Sequence, residues 1–144
     1  MCEILEERSR PDLTSGDIDA LTAFLPRLEA LPDDCGAATK RDESGIFPIS
    51  PGRRAAVDLA GEIFAAIYDN HIMYAFDWPV WVRDEHLEFL QVRPGWLAGA
   101  DLETIRRLLI AYARQEGGVI ELVAAGQMTA ILRRLKALQR EVRR

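Results

Sequence analysis

The chain has 144 residues, a net charge of −5, 49% apolar and 28% charged residues. These values fit one globular domain and are unlike those of an intrinsically disordered chain. The charge is unevenly spread: residues 1–132 carry a net −10 and residues 133–144 a net +5, so a basic terminal helix on an acidic body is the main electrostatic feature.

Taken in chain order, residues 1–13 are polar and contain Pro11, which predicts a flexible N-terminal arm. From Thr14, apolar residues Ile18, Leu21, Phe24, Leu25, Leu28 and Leu31 recur at spacings of three and four, the stripe of an amphipathic helix. Thr14 or Ser15 can cap it, and Pro26 predicts a kink or a split, because an interior proline removes one hydrogen bond and collides with the preceding turn. Residues 33–50 read as a long polar loop. Ser50-Pro51 reads as an N-cap followed by proline at the first helical position. The helix it starts spans 51–69 and carries Val57, Leu59, Ala60, Ile63, Phe64, Ile67 and Tyr68, with Asn70 expected as a left-handed C-cap. "HIMYAF" follows as a short extended link.

The stretch "YAFDWPVWVRDEH", residues 74–86, places two tryptophans around a proline. With Asp77 as N-cap, Pro79 falls in the first turn, where the amide it lacks would be unpaired anyway. Phe76 before the cap then faces Trp81 at the fourth helical position, the arrangement of a hydrophobic staple. The aromatic cluster thus has a structural cause. The competing reading is a ligand platform formed by Trp78 and Trp81. A helix is expected from here to about Gln91, "RPGWLAGA" as a turn, and Asp101 as the cap of a helix over 102–115. Gly117-Gly118 breaks that helix, a short helix spans about 119–125, and a last one carries Met128, Ile131, Leu132, Leu135, Leu138 and Val142 at near-heptad spacing. The whole reads as an all-α, single-domain bundle (14–144) of five or six amphipathic helices with short connections.

Several strings also resemble an uncharacterised prokaryotic family, domain-of-unknown-function family 6508. They are "FDWPVW" at 76–81, "ADLETIRRLL" at 100–109 and "GQMTAILRRLKAL" at 126–138. Members of that family usually carry Arg-x-x-Arg-Phe followed shortly by Gly-His-Leu. The matching stretch here is "RQEGGVIELV", with Arg114 and Glu116 kept, Gly117-Gly118 in place of Arg-Phe, and Glu121-Leu122 in place of Gly-His. The resemblance implies a shared fold, implies an altered polar string in this chain, and supplies no activity.

Little in the residues points to catalysis. His71 and His86 are the two histidines, Cys2 and Cys35 the two cysteines. No zinc-binding or disulfide spacing, glycine-rich phosphate loop, or nucleophile with a nameable base stands out, so no metal, cofactor or catalytic residue is expected. The cysteine usage and the absence of a secretory pattern or an apolar run of spanning length favour the cytoplasm and no membrane.

Three function classes remain. The first is a non-catalytic protein-interaction module that self-associates or docks a partner through the Met128–Val142 stripe. The second is a nucleic-acid binder using the helix-turn-helix-like segment over the last two helices, with Arg133, Arg134, Lys136 and Arg140 on phosphates. The third is an enzyme or small-anion binder with a pocket lined by Arg114, Glu116, Trp78 and Trp81. Against the third, Arg106, Arg107 and Arg114 also read as a solvated face laced by a Glu103–Arg107 pair.

Overall fold

A computed structural model describes residues 12–32, 51–87 and 92–143. The polar loop 33–50, the Ser50 cap, both cysteines, nearly all of the N-terminal arm and the expected helical end at 88–91 lie outside the described residues, as does the side chain of Val142.

Within them the secondary structure is all helical: α1 (Ser15–Thr22), α2 (Leu25–Glu29), α3 (Pro51–Asp69), α4 (Trp78–Asp84), α5 (Pro94–Ala98), α6 (Leu102–Arg114), α7 (Gly118–Ala124) and α8 (Gln127–Arg143). The pieces are more numerous and shorter than five or six rods, and proline is the main reason. Pro26 is the second residue of α2, and its ring would collide with the carbonyl of Thr22, the last residue of α1. "RPGWLAGA" is not a plain turn, because Pro94 opens the one-turn helix α5 there.

The ends are closed as local chemistry demands. Thr14 and Asp17 form a reciprocal capping box on α1. The Asp101 carboxylate accepts the Thr104 amide at 2.8 Å and starts α6. At the end of α4, His86 adopts the left-handed conformation (φ 58°), while the Leu87 amide reaches the Val82 carbonyl at 2.9 Å and the His86 amide that of Arg83 at 3.1 Å. That is a Schellman closure, with Leu87 and Val82 both buried. It stops α4 at Asp84, short of the expected Gln91. The residue in the left-handed region after α3 is His71 (φ 61°), not Asn70. Asn70 instead turns its side-chain amide back to the Ala66 carbonyl at 2.8 Å. Both histidines therefore serve as backbone punctuation.

Helix α8 is the central rod. It packs on α1 most extensively and also meets α2, α5, α6 and α7, while α3 lies along α7. Met128, Ile131, Leu132, Leu135 and Leu138 are all buried in this core. This corrects the expectation that the stripe docks a partner: from Met128 to Leu138 it is consumed by the fold. At about 1.5–3 kcal/mol for each such side chain removed from water, it is a major source of stability. Gln139, on the same helix, donates to the Ser15 carbonyl at 3.1 Å and to Asp19 Oδ1 at 2.6 Å, fixing the register of α8 against α1.

Candidate functional site: an aromatic cleft beside Arg114

The link between α3 and α4 builds the site. Ile72 and Tyr74 are buried, Met73 is half-buried, Ala75 is exposed, and the rings of Tyr74 and Phe76 lie 5.4 Å apart. Burial that alternates with period two is the mark of extended backbone. The run ends at Asp77 (φ −78°, ψ 76°), where the Trp78 amide bonds the Phe76 carbonyl at 2.8 Å, an inverse γ-turn. The Asp77 carboxylate then accepts the Val80 amide, with Trp78 and Pro79 as the first two residues of α4. The expected staple is present: the Phe76 and Trp81 rings meet edge to face at 6.1 Å.

Two arginines of α6 pin this link. Arg106, 4% exposed, donates from Nε to the Ile72 carbonyl (2.9 Å) and from Nη2 to that of His71 (2.7 Å), and its guanidinium lies 4.8 Å from the Tyr74 ring centre. Arg107 donates to the Tyr74 hydroxyl at 3.1 Å and lies over Phe76 at 5.2 Å. The Tyr74 hydroxyl in turn donates to Glu103. Burial pushes the Tyr74 hydroxyl pKa up, and the Glu103 carboxylate reinforces that shift. Arg106 is thus not part of a solvated face, as its sequence position suggested. It is a buried clamp whose donors satisfy carbonyls that have no helix of their own.

With the link so held, a cleft of about 450 Å³ opens between it, the end of α3 and the end of α6. Its walls are Tyr68, Met73, Tyr74, Phe76, Trp78 and Ile110, with Ala75, Asp77 and Pro79 along one edge and Arg114 as the cation. Arg114 is exposed, and among the described residues it makes no ion pair or hydrogen bond. Of the four residues expected at a pocket here, Arg114 and Trp78 come together. Trp81 does not line the cleft; it packs edge to face on Phe76 and on Trp96, 6.4 Å away. Glu116 is exposed in the turn after α6, outside the cleft. Tyr68 and Met73 were missed. Phe64 and Tyr68, two of the apolar residues the sequence places on α3, are 41% and 43% exposed, and their tilted rings pack on each other at 4.8 Å. Phe64 borders a second hollow of about 330 Å³ against Gly117, Gly118 and Ile120.

The altered polar string sits beside these features. Gly117 holds the left-handed conformation (φ 72°), and a Cβ on Gly118 would lie 2.3 Å from the Tyr112 carbonyl oxygen. Any side chain at 118 thus requires a different backbone path here. A family model, described as a family of unknown function (DUF6508), matches residues 13–141. The chain belongs to that family. No curated protein and no solved structure matches it.

The basic residues of α8 are placed as follows. Arg133 pairs with Glu29 at 3.3 Å, Arg134 donates from Nε to the Ala100 carbonyl at 2.9 Å, and Lys136 and Arg140 are exposed. Two of the four candidate phosphate contacts therefore already hold intramolecular partners. Among the described residues no group of three His, Cys, Asp or Glu side chains is placed to hold a metal ion, and no helix is long and apolar enough to cross a membrane.

Proposed function

We propose that this chain is a non-catalytic protein-interaction module that receives its partner at the aromatic cleft, with Arg114 meeting an acidic group. The single observation behind this reading is Arg114, whose side chain has no hydrogen bond or ion pair among the described residues, beside a cleft walled by Tyr68, Phe76 and Trp78. Aromatic residues and arginine are the types enriched at protein interfaces, and a carboxylate is the natural complement of a guanidinium fork. The apolar surface also runs past the cleft: Tyr68 stacks on Phe64, which borders the second hollow. A contact area wider than one pocket suits a macromolecular partner better than a small molecule. The polar groups inside the cleft are already committed to structure, since the Tyr74 hydroxyl is held by Glu103 and Arg107 and the Asp77 carboxylate caps α4.

The cleft is tested with 3-phenylpropionate, which joins a ring to a carboxylate. Titration followed by the indole N–H resonances is expected to move the Trp78 signal in the wild type and not in Arg114→Gln. The partner is tested by capture on the wild type against a Tyr68→Ala, Arg114→Glu double variant, then by calorimetry with the purified captured protein. Equal direct binding to both forms would overturn the reading.

A further inference from the structure

The link 72–77 carries a feature that the cleft alone does not require. In extended backbone the N–H and C=O of one residue point to the same side, and those of the next residue to the other. On one side, the Ile72 carbonyl is taken by Arg106 and the Phe76 carbonyl by the γ-turn. Met73 and Ala75 share the opposite side. Both border the cleft, and among the described residues neither enters a hydrogen bond. Their four main-chain groups form a short open strand edge. Natural sheets protect such edges with charge, proline or a covering segment, because an open edge pairs with another chain. Here the edge ends at Ala75, small and exposed, and neither Met73 nor Ala75 carries a charge to repel an incoming backbone.

We infer that the cleft takes an extended peptide segment, which adds as a strand along Met73–Ala75, sets an apolar side chain against Tyr68 and Trp78, and brings an acidic residue to Arg114. This rests on the proposed function and names the form of its partner. Three observations select a strand. The donors and acceptors at 73 and 75 repeat every second residue, as a paired strand requires. The link is rigidly held from behind by Arg106, so pairing costs this chain little ordering entropy. The charge at the end of α6 supplies direction, since main-chain pairing alone reads no side chain.

The experiment is selection of displayed seven-residue random peptides on the full chain, with Arg114→Gln as the counter-selection. Enriched peptides are expected to carry Asp or Glu at a fixed offset from an aromatic or large aliphatic residue. The best is then synthesised in three forms: unmodified, N-methylated on the odd amides, and N-methylated on the even amides. One methylated register is expected to lose affinity roughly ten-fold or more, through two lost main-chain bonds, and the other to keep it. Ala75→Pro is expected to weaken the unmodified peptide to a similar degree, with circular dichroism verifying that the helices persist. Equal affinity of all three peptide forms overturns the inference whatever the proline variant does, and so does a selection that yields no Arg114-dependent peptide. If 3-phenylpropionate still reports on Trp78 in either case, the cleft reading stands and only the strand pairing falls. If the small probe fails too, both fall.

Discussion

Tyr112 offers a stabilising substitution. It lies on α6, 1% exposed, and its hydroxyl is buried with no hydrogen-bond partner among the described residues. A polar group stripped of water and given nothing in return costs about 1–3 kcal/mol, whereas its ring packs whether or not the oxygen is present. Tyr112→Phe removes the oxygen and leaves the ring, so stability is expected to rise by about 1 kcal/mol, or roughly 3–4 °C in Tm at this chain length. Most core substitutions destabilise, so the sign alone is diagnostic. A second signature lies at alkaline pH. Burial pushes the Tyr112 hydroxyl up to about 12, while an unfolded tyrosine ionises near its ordinary value of about 10. A folded pKa above the unfolded one gives stability that is complete below about 10 and is lost as pH rises from there towards about 12. Urea unfolding by circular dichroism, at neutral pH and at steps above 10, should therefore show the Phe variant ahead at every step, with its lead growing on the alkaline side. A variant less stable than the wild type at neutral pH would refute the reasoning, because it would mean that the hydroxyl has a partner.

Gly118→Ala should destabilise by about 2–3 kcal/mol, because its Cβ meets the Tyr112 carbonyl oxygen at 2.3 Å and only backbone movement can relieve the contact. The neighbouring Gly117→Ala, with open space but φ 72°, should cost closer to 1 kcal/mol, and chemical denaturation separates the two. Leu135→Glu should unfold the chain rather than alter its association, costing on the order of 4 kcal/mol or more, since a carboxylate would replace a fully buried leucine. A folded Leu135→Glu monomer by light scattering and circular dichroism would contradict the placement of α8 at the centre. Asp17 governs part of the acid limb. Burial opposes its ionisation, yet the Thr14 amide and hydroxyl and the His71 ring together hold its carboxyl below the usual range. A depressed folded pKa gives stability that is present above the unfolded value of about 3.9 and lost as pH falls through the folded one. Asp17→Asn should flatten the stability profile below that value, read by urea midpoints across acidic buffers.

Local signals in the sequence were sufficient for the described helices other than α5 and for most of their ends. Thr14, Asp77 and Asp101 act as caps because capping needs only a side-chain oxygen two or three residues from an exposed amide. The split at Pro26 and the Phe76–Trp81 staple follow equally from the chain's own geometry. Errors began where a position depends on what lies across from it. Asn70 and His71 are both plausible left-handed residues by type, and packing selected the histidine.

The site was legible only in part, for the same reason. Arg114 and Trp78 stood out by chemistry, but their 36-residue separation gave no sign that the ends of α4 and α6 meet. Periodicity put Phe64 and Tyr68 on an apolar stripe without saying how wide a face the rest of the bundle would cover, and both are left outside. In the same way an exposed and a buried arginine are one letter in the sequence: Arg106 became a clamp because the His71 and Ile72 carbonyls lie within its reach, while the Arg114 side chain bonds none of the described residues. What the sequence by itself determined is most of the helices, α5 excepted, since periodicity, caps and prolines act within a few residues. Which stripes are spent on the core and which side chains converge on the cleft was decided by tertiary packing alone, because burial is a relation between segments far apart in the chain.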